Sequence, residues 1–140
     1  LRSGTLSPAL CAGFGAAARL MTEQREADAA HVAALHARAR ALFVGWVLNG
    51  DAPARYPGNL NLRRDGLDGA RLLSECRDVA FSLGSACASG SGRPSHVLRA
   101  LGLTDAQARS SIRVGFGRYT TLDAIERAAD AINRAADAQG

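Results

Sequence analysis

Cys87 stands in the stretch from Val79 to Gly92, where a short apolar run gives way to Gly-Ser-Ala-Cys-Ala-Ser-Gly-Ser-Gly. Free cysteines ordinarily fill cores as small hydrophobes. This one has three glycines and four serines about it and little apolar surface to bury against. Its value is then reactivity and reach. A cysteine nucleophile works as thiolate, and its pKa falls near positive charge or a helix N-terminus; here Arg93 precedes a helix signal that resumes at Pro94. Composition alone leaves the plainer alternative open, a chance cysteine in a surface loop. Arg113, on a short alternating stretch, offers a planar fork that matches a carboxylate bidentately, against the alternative of an exposed charge on a sheet face. Ser3-Gly4-Thr5, before a helix start, has the makings of an anion cradle, although most such triplets only cap helices. His96 reads as a surface residue, and His31 and His36 are five apart, which does not set up a metal pair. Arg118, beside the last helix, equally suits a structural ion pair.

The elements that must position these residues follow from pattern. Ser7-Pro8 is a helix start, Ser as N-cap and Pro at the first helical position. Helix is predicted from there to about Ala41, with a break near Met21-Thr22. Gly13-Phe14-Gly15 fits the loosest dinucleotide fingerprint, but no strand precedes it, so it is assigned to close helix packing. Strands are predicted at Phe43 to Leu48, Asn59 to Arg63, Val79 to Ser82 and Ser111 to Phe116. Between them, Asp65 to Cys76 carries one apolar helix face capped by Asp65 or Asp68, and Cys76 and Cys11 are both read as buried core residues. Pro94 to Leu101 is a short helix stopped by Gly102, and Thr104-Asp105 caps another. Thr120-Thr121-Leu122-Asp123 resembles a capping box, behind which Ile125, Ala128, Ala129 and Ile132 stripe a closing helix. The expected fold class is α+β: one domain over residues 1–140, with a short sheet of about four strands packed with helices.

Composition narrows the chemistry. All 17 basic residues are arginine, so a cofactor that must be attached through lysine cannot be attached by this chain. The net charge of +4 is scattered and aromatics are only 5%, which argues against a nucleic-acid surface. No apolar run is long enough to span a bilayer. Three widely spaced cysteines, Cys11, Cys76 and Cys87, make neither a disulfide framework nor a zinc site, and a reducing, cytoplasmic setting is expected. The opening residues lack an initiator Met and any leader pattern, and read as those of a fragment or excised domain.

Together these stretches resemble the carboxy-terminal part of a cysteine desulfurase, a pyridoxal phosphate enzyme of the class V aminotransferase family. The resemblance rests on Arg2-Ser3-Gly4-Thr5, Leu48-Asn49-Gly50-Asp51, Gly84-Ser85-Ala86-Cys87-Ala88-Ser89, the Pro94 to Gly102 segment with its Leu-Arg-Ala-Leu-Gly end, and Ser110-Ser111-Ile112-Arg113 leading to Gly117-Arg118-Tyr119-Thr120-Thr121. It implies the small domain of a fold-type I transferase, with the large cofactor-binding domain absent from this chain. It implies that Cys87 takes sulfur from L-cysteine as a persulfide and leaves alanine. It also implies that Arg113 holds the substrate carboxylate and that Thr5 binds the cofactor phosphate across a homodimer interface. The long Gly/Ser loop matches the branch whose mobile cysteine delivers sulfur to a protein such as an iron–sulfur scaffold, since a carrier that collects in a pocket and delivers outside it must swing. Gly115 stands where relatives often have Ser. The chain by itself is expected to turn over no cysteine. Two other readings are kept, a selenocysteine lyase of the same fold and a stand-alone persulfide carrier that needs no cofactor.

Overall fold

The computed structural model describes residues 4, 6–83 and 94–140. Helix α1 spans Pro8–Glu23 and α2 Arg25–Leu42; the Ser7 side chain caps α1 by accepting from the Leu10 amide. The break between them falls at Gln24, two residues past Thr22, and Thr22 stays helical with its hydroxyl donating back to the Ala18 carbonyl. Three short strands follow the chain, β1 (Val47–Leu48), β2 (Asn59–Arg63) and β3 (Ser111–Gly115), and they form one antiparallel sheet in that order. Helices α3 (Gly69–Glu75), α4 (His96–Ala100) and α5 (Asp105–Arg109) lie between β2 and β3, and α6 (Leu122–Asp137) follows the sheet.

The strand register sorts side chains by face. In β2, Leu60 and Leu62 are buried; opposite them in β3, Val114 and Ile112 are buried too. This apolar face shares one core with Val32, Leu35 and Ala39 of α2 and with Ile125, Ala129, Ile132 and Ala136 of α6. Asn59, Asn61 and Arg63, with Ser111, Arg113 and Gly115, take the other face.

Two predicted strands are shortened. Phe43 ends α2, Gly45 turns with φ of +80°, and only Val47–Leu48 pairs with β2. Phe43 and Trp46 are three apart and both buried, their rings meeting edge to face at 5.6 Å. A strand would send them to opposite faces, so a turn wins. The Trp46 indole donates to the Asn133 side-chain oxygen at 2.9 Å, fixing this turn to α6. At Val79 to Ser82 the amide of Val79 closes a turn on the Cys76 carbonyl, and only Ser82 reaches the sheet, as a single bridge to Arg113. Among the described residues the sheet therefore has three strands and a bridge rather than four strands.

Caps fall close to where they were read. Asp68 caps α3 through the Ala70 and Arg71 amides, and Thr104 with Gln107 makes a full capping box on α5. For α6 the cap is Thr121, not Thr120, whose hydroxyl instead accepts from the Gly117 amide. Gly69 is buried against α5, where a Cβ would meet the Arg109 carbonyl oxygen at 2.5 Å. Cys76 is buried as read from its helix face, but Cys11 is exposed. Helix α1 buries none of its residues: Leu10 is 76% and Phe14 80% exposed, and nothing lies near a Cβ placed on Gly13 or Gly15. The close helix packing assigned to those glycines is absent from the described residues.

Candidate functional site

Arg113 occupies the middle of β3, half-buried, with Asn61 of β2 as its cross-strand partner. On its other side the backbone pairs with Ser82, the Arg113 amide donating to the Ser82 carbonyl at 2.6 Å and the Ser82 amide returning a bond of 3.0 Å. Arg113 is thus paired through its backbone on both flanks. Its own face of the sheet is polar, and a cluster that the sequence did not announce sits on it. Asn49, just past β1, is buried, and its side-chain amide donates to Asn61 Oδ1 at 2.7 Å and to Ser111 Oγ at 3.0 Å. Ser111 in turn donates to the Gln107 carbonyl at 2.7 Å. Arg55 closes the turn from outside, its guanidinium donating to the Asn49 and Asp51 carbonyls, while its Nη1 is buried without a partner. Gly50 turns here with φ of +81°, a conformation only glycine adopts without strain. The signal that could have marked Asn49 as a cluster centre is an amide beside an apolar run with a second Asn in the pairing strand.

Arg118 does what its ion-pair reading said. It pairs with Asp28 at the start of α2, with about three quarters of each side chain buried (22% and 26% exposed). The guanidinium donates to the Asp28 carboxylate, and that hydrogen bond holds the Arg118 pKa above its ordinary value. This pair borders an apolar cleft lined by Met21, Val32 and Pro57. The two helix histidines are tethers: His31 Nε2 donates to the Thr120 carbonyl at 2.9 Å and His36 Nδ1 to that of Pro57 at 2.8 Å. Each pins to α2 a loop that flanks the cleft. His96 is exposed on α4. No group of three or more metal-ligating side chains comes together among the described residues.

Cys87 and Thr5 lie outside the described residues. The described ends next to the Cys87 segment are Leu83, half-buried beside the Ser82 bridge, and Pro94-Ser95 ahead of α4, with Ser95 buried. Leu83, the last described residue before that segment, thus follows directly on the residue bridged to Arg113. No helix among the described residues is long and apolar enough to cross a membrane.

The sequence is 46% identical over 136 residues to the cysteine desulfurase IscS of Colwellia psychrerythraea, covering 93% of this chain and 33% of that protein. It is likewise 46% identical over 137 residues to the mitochondrial cysteine desulfurase of Saccharomyces cerevisiae, covering 94% of this chain and 27% of the relative. The chain thus spans about a third or less of the length of these relatives. In structure it superposes on a NifS-like protein from Rickettsia africae with a TM-score of 0.83 at 23% identity, covering 97% of this chain and 36% of the other. That likeness confirms the small-domain α+β fold. Residues 1–128 match the family described as Aminotransferase class-V, and the chain belongs to that family.

Proposed function

We propose that this chain is the small domain of a cysteine desulfurase that converts L-cysteine to L-alanine and passes the sulfur on as a persulfide. The observation that carries the reading is the uniform identity, 43–48% over nearly the whole chain, to relatives that all bear the desulfurase name. Pyridoxal phosphate, when bound to the complete enzyme, supplies the electron withdrawal that weakens the carbon–sulfur bond of cysteine. This chain has no lysine to hold it covalently, so that residue belongs to the part the longer relatives have in addition.

What this chain contributes is acceptor and grip. In the proposal, Arg113 takes the substrate carboxylate, for which the guanidinium of a half-buried arginine on a strand paired on both sides is suited by charge and planarity. The Thr5 hydroxyl holds the cofactor phosphate. The Cys87 thiolate attacks the substrate sulfur: a sulfur–sulfur bond forms, the carbon–sulfur bond breaks, and the carbon keeps the electron pair and takes a proton to become the methyl of alanine. The bridge between Arg113 and Ser82, five residues before Cys87 in sequence, supports a thiol that serves a carboxylate-anchored substrate. A homodimer, a reducing cytoplasmic compartment and a protein acceptor such as an iron–sulfur scaffold complete the reading. The exposed face of α1 suits burial against a further part such as the longer relatives have.

The test is mass spectrometry of the longer polypeptide after exposure to L-cysteine and pyridoxal phosphate. Alanine should appear, and one sulfur should be gained at Cys87 and not in Cys87→Ser. Alanine made by the lysine-free chain alone, or sulfur gained equally by Cys87→Ser, overturns the proposal.

A further inference from the structure

We infer that Asn49 is a positioning residue for Arg113, and through it sets how tightly the enzyme holds a carboxylate. The inference rests on the reading of Arg113 as the carboxylate ligand. Four bonds converge on Asn49. Its backbone amide donates to the Asn61 carbonyl at 2.9 Å, its carbonyl accepts from Arg55, and both side-chain protons are spent, on Asn61 Oδ1 and Ser111 Oγ. The two side-chain acceptors are the same-face neighbours of Arg113: Asn61 is its cross-strand partner and Ser111 lies two residues before it. One amide thus reaches from the end of β1 past β2 to β3, on the face that carries the guanidinium.

The backbone alone does not supply this link. Strand β1 pairs over two residues only and is not paired with β3. Asn49 is 4% and Ser111 0% exposed, so their bonds act where water does not compete and where loss of one donor leaves acceptors stranded. The Ser111 hydroxyl is locked further by its bond to Gln107, which ties the start of β3 to α5. Bidentate grip on a carboxylate is sensitive to the direction of the fork. A strand whose neighbours on one face are fixed by a side chain from just beyond a third strand gives that fork a fixed base.

The experiment compares Asn49→Asp, Asn49→Ala and Ser111→Ala in the complete enzyme. Each should raise the KM for L-cysteine about three- to tenfold, the range expected for a lost hydrogen bond, with kcat nearly unchanged. Asn49→Asp should act most strongly, because it keeps the shape, loses the donors and adds a carboxylate on the face of Arg113. Asn133→Ala, which removes the bond between α6 and the Trp46 indole and none of the Asn49 bonds, is the control for stability loss and should leave KM where it was. Should the Asn49 variants fail to fold, Ser111→Ala decides. An unchanged KM in these variants, while Arg113→Gln raises it, overturns the role of Asn49 and keeps that of Arg113. An unchanged KM in Arg113→Gln overturns both.

Discussion

Two cysteines with the same sequence reading have opposite environments. Burial, with the neighbouring Glu75 charge adding to it, pushes the Cys76 thiol above its ordinary ionisation range, and its sulfur points to the Ala131 carbonyl. Cys11 is open to solvent. Alkylation of the native protein near neutral pH, read by peptide mass, should therefore modify Cys11 and spare Cys76 until denaturant is added. The sign of the linked stability also follows. A thiol whose folded pKa is raised contributes stability that is fully present below the unfolded-chain value and is lost as pH rises past that value to the folded one. Denaturation at pH 7 and pH 10 should thus show a steeper alkaline loss for the native sequence than for Cys76→Ala; equal losses would refute it. The burial of Cys76 was legible because Leu72 lies on the same helix face and is itself buried. Asn49 was not legible as a cluster centre, since its acceptors stand 12 and 62 residues away and leave no local pattern.

At the scale of elements, α1 and α2 read alike in sequence and differ wholly in packing. Helix α2 places Val32, Leu35 and Ala39 in the core, whereas α1 turns Leu10, Phe14 and Met21 to solvent. Leu35→Ala should cost about 2–5 kcal/mol in chemical denaturation, the usual range for a truncated core leucine. Leu10→Ser and Phe14→Ser should each change stability by less than about 0.5 kcal/mol, while reducing any self-association seen in sedimentation. A large stability loss in the serine variants would mean that α1 is packed after all. Periodicity reports that a helix has an apolar face, and it cannot report whether this chain or another part of the protein covers that face. The same limit explains the strands. Asn59 to Arg63 alternates cleanly and forms over its whole length, but Phe43 to Leu48 is apolar throughout, and such a run does not declare which residues share a side. Turn and cap chemistry was read more closely, as at Asp68 and Thr104, because those bonds are made within three residues.

Across the whole molecule, the ion pairs among the described residues are largely exposed, Arg127 with Asp123 and Arg134 with Asp130 being typical, and Arg118 with Asp28 is the more sheltered exception. Stability should change little between low and moderate salt, by under about 1 kcal/mol, with most of any change removed in Asp28→Asn; calorimetry over a salt series checks this. The tertiary core has a different span. Strand β2 finds its partner 48 or more positions later in β3, and α2 rests on α6, with tethers such as His31 to Thr120 reaching across 89 residues. A ribosome releases α2 long before it makes α6. The growing chain therefore holds a helix with an uncovered apolar face and a lone hairpin without their lid, and can close its core only after about Asp137 has emerged. Folding is in this sense a single late event, and chains arrested after Gly117 should remain open to protease while those arrested well past Asp137 resist it.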